Sequence, residues 1–149
     1  MSDVRFRPLL ADLCRFVGVD ASDILETGSL RIGDVDFVLS CGLGVFSECM
    51  QVNCDFGLSP DAQSGGGCAE LLRFNVMAHE FSRLGEQIHM VFGASGSGRV
   101  LLMSALPLAD LSGQKLATYL DTLAGQAIAW RQGEGCLMTA IRGAGNGRQ

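Results

Sequence analysis

The sequence predicts an α+β domain with the element order αβββαββα, a twisted antiparallel sheet packed with helices. Three observations carry that expectation. Near both ends of the chain apolar residues recur every three or four positions, the spacing of a helix with one buried stripe. Between Leu30 and Leu58, and again from Ile88 to Leu106, the period drops to two, as in strands. Most of the strand candidates are joined by short turns rich in glycine and aspartate, which suit hairpins and therefore antiparallel pairing.

In the first helix Phe6, Leu9, Leu10, Leu13, Phe16 and Val17 share one stripe of about three turns, and Gly18 stops it. A short connection through Asp20 and Ser22 follows. Leu30 and Ile32 then alternate with Arg31, and Gly33-Asp34 turns the chain into Val35-Asp36-Phe37-Val38-Leu39, completing a hairpin. After the Gly42 to Gly44 turn comes the clearest strand. Met50, Val52, Cys54, Phe56 and Leu58 alternate there with Gln51, Asn53, Asp55 and Gly57, so one face is apolar and the other wet. Ser59-Pro60-Asp61 ends it, and Ser64 to Gly67 forms a crossing.

A second helix is expected from about Cys68 to Leu84. Leu71, Phe74, Ala78 and Phe81 form one stripe, Leu72, Asn75, Val76 and His79 an adjoining one, and Gly85 ends it. This wide apolar arc suits a helix that touches two neighbours. Ile88, Met90 and Phe92 alternate into the Gly93 to Gly98 turn. The return strand, Val100 to Leu106, is apolar on both faces and belongs in the sheet interior. Ser112 can cap a third helix whose stripe is Leu116, Tyr119, Leu120, Leu123, Ala127 and Trp130. The domain is expected to span 1–132. Residues 133–149, with five glycines among seventeen residues, read as a flexible Gly-rich tail.

At 149 residues the chain suits a single domain with one core. A net charge of −5 sets its field against nucleic acid and anionic lipid. Only 18% of residues are charged while 48% are apolar, and mean hydropathy is +0.27. Against about 25% charge in an average soluble domain, that leaves apolar surface to assign. A membrane is not where it goes: the longest run without Asp, Glu, Lys or Arg is the twelve residues Gln87 to Gly98. Charges at Asp3, Arg5, Arg7, Asp12 and Arg15 interrupt any signal-peptide core, so a cytoplasmic protein without membrane insertion is expected. The surplus is assigned to protein interfaces.

Motifs for chemistry are incomplete throughout. His79-Glu80 begins a zinc-helix pattern, but its second imidazole position holds Arg83. The Gly93 to Gly98 turn has Ser97 where a nucleophile elbow needs glycine, and no Lys-Ser/Thr pair follows for a phosphate loop. Cys14, Cys41, Cys49, Cys54, Cys68 and Cys136 form no C-x-x-C pair and read as structural thiols in a reducing cytosol, Cys14 and Cys54 on apolar faces. A cysteine–histidine enzyme stays open as an alternative, with nothing to select the cysteine. No metal site, cofactor or acid/base pair is indicated.

The chain resembles the class I chaperones of bacterial type III secretion, the Tir-chaperone (CesT-like) family, over residues 5–131. Glu70-Leu71-Leu72-Arg73-Phe74-Asn75-Val76 is similar to the family's second helix with its Leu-Leu-x-x-Asn signature. Leu101 through Leu108 is similar to its last strand and exit, and Leu116 through Trp130-Arg131 to its closing helix with a terminal Trp-Arg.

The resemblance implies a homodimer that catalyses nothing. It would bind the extended N-terminal chaperone-binding segment of a secreted effector in the bacterial cytoplasm, by an added strand at a sheet edge and by apolar grooves. The segment would thereby stay soluble and competent for secretion. Mapped onto this sequence, the partner grooves would use Phe6, Leu10, Leu13, Val35, Phe37 and Met50. The dimer face would use Leu72, Phe74, Met77, Phe81 and Met90. The secretion ATPase is a further candidate partner. The alternative is a dimeric regulatory or adaptor protein of the same fold that binds a folded partner.

Overall fold

The opening stripe folds as α1 (Asp3–Val17), and Gly18 ends it with a φ of 78°. Leu9, Leu10, Leu13 and Cys14 are buried along it. Phe16, expected in the same stripe, is 55% exposed. At about 100° per residue it falls on the margin of the arc. The computed structural model describes residues 3–41, 48–58, 75, 89–94 and 99–132. The expected tail at 133–149 lies outside them.

What the sequence suggested as a plain connection is a second helix, α2 (Ala21–Thr27). The Asp20 side chain accepts a hydrogen bond from the Ser22 amide at 2.9 Å, capping the helix and holding the carboxyl below its usual range. Gly28, at φ 73°, closes it in the left-handed conformation. Seven residues are too few for a periodic stripe to show in the sequence. Ile24 is the one residue of this helix that is fully buried.

Five strands follow among the described residues: β1 (Ser29–Ile32), β2 (Val35–Cys41), β3 (Cys49–Leu58), β4 (His89–Ala94) and β5 (Arg99–Pro107). They form one sheet in the order β1-β2-β3-β5-β4, every neighbour antiparallel. Ile32 pairs with Val35 across a two-residue turn whose first position is Gly33 at φ 59°, as such turns require. β5 lies inside the sheet, as its two apolar faces suggested. The expected helix over Cys68–Leu84 lies outside the described residues apart from Asn75, which is helical.

One face of the sheet carries Val35, Phe37, Leu39, Met50, Val52, Cys54, Phe56, Phe92, Val100, Leu102 and Leu106, all buried. The closing helix, α3 (Gly113–Arg131), packs on that face through Leu116, Leu120, Leu123, Ala124, Ala127 and Trp130, with α1 beside it. Phe56 links the layers: its ring meets Phe92 edge-on at 5.1 Å and Trp130 at 5.9 Å. Full burial of each large apolar side chain is worth about 1.5–3 kcal/mol, so this single interface dominates stability.

Polar bonds fix how α3 sits. At its start, Ser112 Oγ accepts the Lys115 amide at 3.2 Å, and Asp12 of α1 accepts the Gly113 amide, also at 3.2 Å. Midway, the Tyr119 hydroxyl is 2.8 Å from Ser104 Oγ, which satisfies the buried polar residue of β5. At its end, Arg131 donates to three backbone carbonyls: Nε to Phe56 at 2.9 Å, Nη1 to Asp34 at 2.8 Å and Nη2 to Asp55 at 2.8 Å. Two of these acceptors belong to a β-bulge, where β3 shifts register against β5 between Asp55 and Gly57. Gly57 adopts φ 91°, and a Cβ there would stand 2.8 Å from Arg131 Nε. The bulge turns carbonyls toward α3, and the glycine makes room for the guanidinium. Asp55 completes the corner by accepting from Arg99 Nη2 at 2.8 Å.

Arg131→Met keeps the aliphatic stem and removes all three bonds, leaving carbonyls without their charged donor. Chemical denaturation should show a loss of about 2–3 kcal/mol.

Burial pushes the Cys54 thiol up to about 12 from 9.0, and the Tyr119 hydroxyl up to about 12 from 10.0 despite its bond to Ser104. Both groups ionise more readily unfolded than folded. Stability is therefore fully present below pH 9 and is lost as pH climbs toward 12, with a limiting slope of about 1.4 kcal/mol per pH unit for each group. Urea melts across this range should show Cys54→Ala reducing the loss that begins near pH 9, to which Cys14 and Cys49 also contribute, and Tyr119→Phe removing the loss that begins near pH 10.

Candidate partner-binding surface

The groove residues expected from the sequence do not form a groove. Leu10, Leu13, Val35, Phe37 and Met50 are each 0–1% exposed, inside the core between α1, α3 and the sheet. Their apolar stripes are consumed by one another, so they offer a partner no surface. Phe6 alone keeps some surface, half-buried against the core. Of the expected dimer residues, Leu72, Phe74, Met77 and Phe81 lie outside the described residues. Met90 lies in β4, opposite Ser104 of β5.

Apolar surface remains on the other face of the sheet. Val38 is 44% exposed, Met103 43% and Val91 47%. The register lines them up: Val38 pairs with Asn53, Asn53 with Met103, and Met103 with Val91. Together they make one row across β2, β3, β5 and β4. Beside it the charges are compensated, Arg31 by Asp36 at 3.3 Å and Arg99 by Asp55. Sequence reasoning passed over this row, although a signal was present. Val38 is an apolar residue out of phase with Val35, Phe37 and Leu39, and Met103 sits in the strand read as apolar on both faces.

The sheet has two edges of different character. At β1, the Leu39 amide donates to the Gly28 carbonyl at 2.8 Å. Bonded pairs alternate along an antiparallel ladder, so Leu30 and Ile32 bond to β2 while the peptide groups of Ser29 and Arg31 point outward. Thr27 Oγ1 accepts the Ser29 amide at 3.1 Å. At β4, Asn75 meets the outward peptide groups of Phe92: its Oδ1 accepts the Phe92 amide at 2.7 Å and its Nδ2 donates to the Phe92 carbonyl at 3.0 Å.

Three of the described thiols, Cys14, Cys49 and Cys54, are poorly placed for chemistry. Burial raises the pKa of Cys14, Cys49 and Cys54, with Asp20 and Glu48 adding to the first two, so each is a protonated thiol at neutral pH. Cys68 and Cys136 lie outside the described residues. Among the described residues no group of His, Cys, Asp and Glu is arranged to hold a metal ion, and no helix is long and apolar enough to cross a membrane. What the arrangement can do is offer backbone and apolar surface.

Comparison with solved structures finds the same fold in several complexes, two of those that follow described as containing a chaperone. The Yersinia pestis type III secretion chaperone SycH, in complex with a stable fragment of YscM2, matches with a TM-score of 0.61 at 23% identity, over 83% of this chain and 98% of that one. The ExsC–ExsE complex matches with a TM-score of 0.65 at 23% identity, over 88% and 94%. The HopA1–SchA chaperone–effector complex matches with a TM-score of 0.63 at 20% identity, over 89% and 97%. At these identities the likeness is one of fold. Comparison with curated proteins finds no match. The model of the Tir chaperone protein (CesT) family, however, matches residues 9–131, from the buried stripe of α1 to the arginine that clamps α3, and the chain belongs to that family.

Proposed function

We propose that this protein is a cytoplasmic export chaperone that binds the extended N-terminal segment of a type III secreted effector and keeps it soluble and secretion competent, without catalysis. Membership of the Tir chaperone family carries this reading. The likeness to complexes described as chaperone with effector supports it. So does the chemistry of the surface, which offers outward backbone groups and apolar side chains.

The client strand adds to β1. An extended segment cannot satisfy its own peptide groups, and the outward carbonyl of Ser29 and the amide and carbonyl of Arg31 supply a ladder for it. Half-buried Leu25 of α2 and Ile32 of β1, both packed against the core, give apolar support near that edge. Strand addition needs no nucleotide and no rearrangement of the core.

The working unit in this reading is a homodimer, and the row of Val38, Met103 and Val91 forms part of the face between copies together with β4. The apolar excess of the sequence requires a large covered surface, and this row is neutral and presented by rigid strands.

Co-expression with effectors encoded nearby should yield a complex that survives size exclusion, with mass analysis giving two copies of this chain. A chain that elutes alone in every pairing sinks the client reading, and a monomer sinks the dimer. In titrations of the captured segment, Arg31→Pro removes the outward amide without touching the bonds to β2 and should weaken binding about tenfold or more. Arg31→Ala, which loses only an exposed ion pair, should bind within about twofold of wild type.

A further inference from the structure

The two edges of the sheet end differently, and the difference lies in one residue. Among the described residues β4 is the terminal strand on its side, and an antiparallel terminal strand turns alternate peptide groups outward, ready to pair with another chain. The groups of Phe92 are the central ones. In a further strand one opposing residue would accept from the Phe92 amide and donate to the Phe92 carbonyl. Asn75 does both with a single carboxamide, at 2.7 Å and 3.0 Å. The Phe92 side chain meanwhile is buried in the core against Phe56, so the peptide group that Asn75 holds cannot swing away.

We propose that Asn75 is a strand stop: its carboxamide occupies the centre of the β4 edge in place of a sixth strand and so closes that edge to β-addition by another polypeptide. A side-chain amide satisfies the exposed pair and cannot propagate the ladder. It therefore ends the sheet as a charge or a proline ends other edges, with the difference that the backbone groups are satisfied and not merely repelled. The inference concerns the β4 edge alone and stands whether or not β1 takes a client.

Asn75→Leu keeps the size of the side chain and loses both bonds. On the full-length protein at low concentration, amide exchange at Phe92 should accelerate about tenfold or more, while Val91 and Gly93, which bond to β5, hold their rates. As concentration rises, sedimentation should reveal a species of twice the wild-type mass, and Phe92 protection should return with it. Asn75→Asp places a charge on the edge and should not form that species. The proposal is overturned if Phe92 stays protected in dilute Asn75→Leu, or if protection is lost and no heavier species forms. Should Asn75→Leu not fold, the wild type decides: a scalar coupling across the hydrogen bond from the Phe92 amide to Asn75 Cγ is expected, and its absence overturns the assignment.

Discussion

The clamp that Arg131 places on the bulge of β3 sets the terms for the rest of the molecule. A helix packed on a sheet by apolar contact alone can slide, because such contacts are non-directional. Three donors of one planar guanidinium reaching three fixed carbonyls remove that freedom at one end of α3. Asp12 and Ser112 fix the other end, and Tyr119 bonded to Ser104 pins the middle. Trp130 is thereby held over Phe56, and the apolar residues of the inner face of the sheet are buried. Among the described residues, what the sheet can offer a partner comes from what this packing leaves: the opposite face and the edges.

The sequence made the sheet legible because each strand has one clean apolar phase. Val35-Phe37-Leu39 and Met50-Val52-Cys54-Phe56 announce strands, and Gly33-Asp34 announces the turn between two of them. The caps at Ser112 and Gly18 were equally plain. Helix α2 was not, since seven residues with Ile24 as the only fully buried one leave no period to read. The partner surface failed for a different reason. Periodicity says which residues share an apolar face but not what covers it, and Leu10, Leu13, Val35, Phe37 and Met50 turned out to cover one another. The informative residues were those out of phase, Val38 and Met103, because an apolar side chain on the wet side of a strand has no core to join.

Two of the three stretches that carried the family resemblance acquire physical meaning from the structure. The closing Trp-Arg pair is a packing residue followed by a backbone clamp. The asparagine of Leu-Leu-x-x-Asn is a hydrogen-bonding plug for β4. Both polar members act on peptide groups and not on side chains. A bond to the backbone survives almost any substitution at the residue it touches, whereas a side-chain partner would have to change in step.

The asymmetry of the edges also answers a problem that any strand-binding protein faces. An edge able to capture an extended client is equally able to capture another copy of itself or a misfolded chain. Keeping one edge open is useful only if the other is closed, since two open edges would permit head-to-tail growth of a continuous sheet without end. Closure by Asn75 at β4, with Arg31 outward at β1, leaves a sheet that can be extended in one direction by one strand. On the proposed function, binding then saturates at one added strand, although the open edge presents the same backbone chemistry that drives aggregation elsewhere.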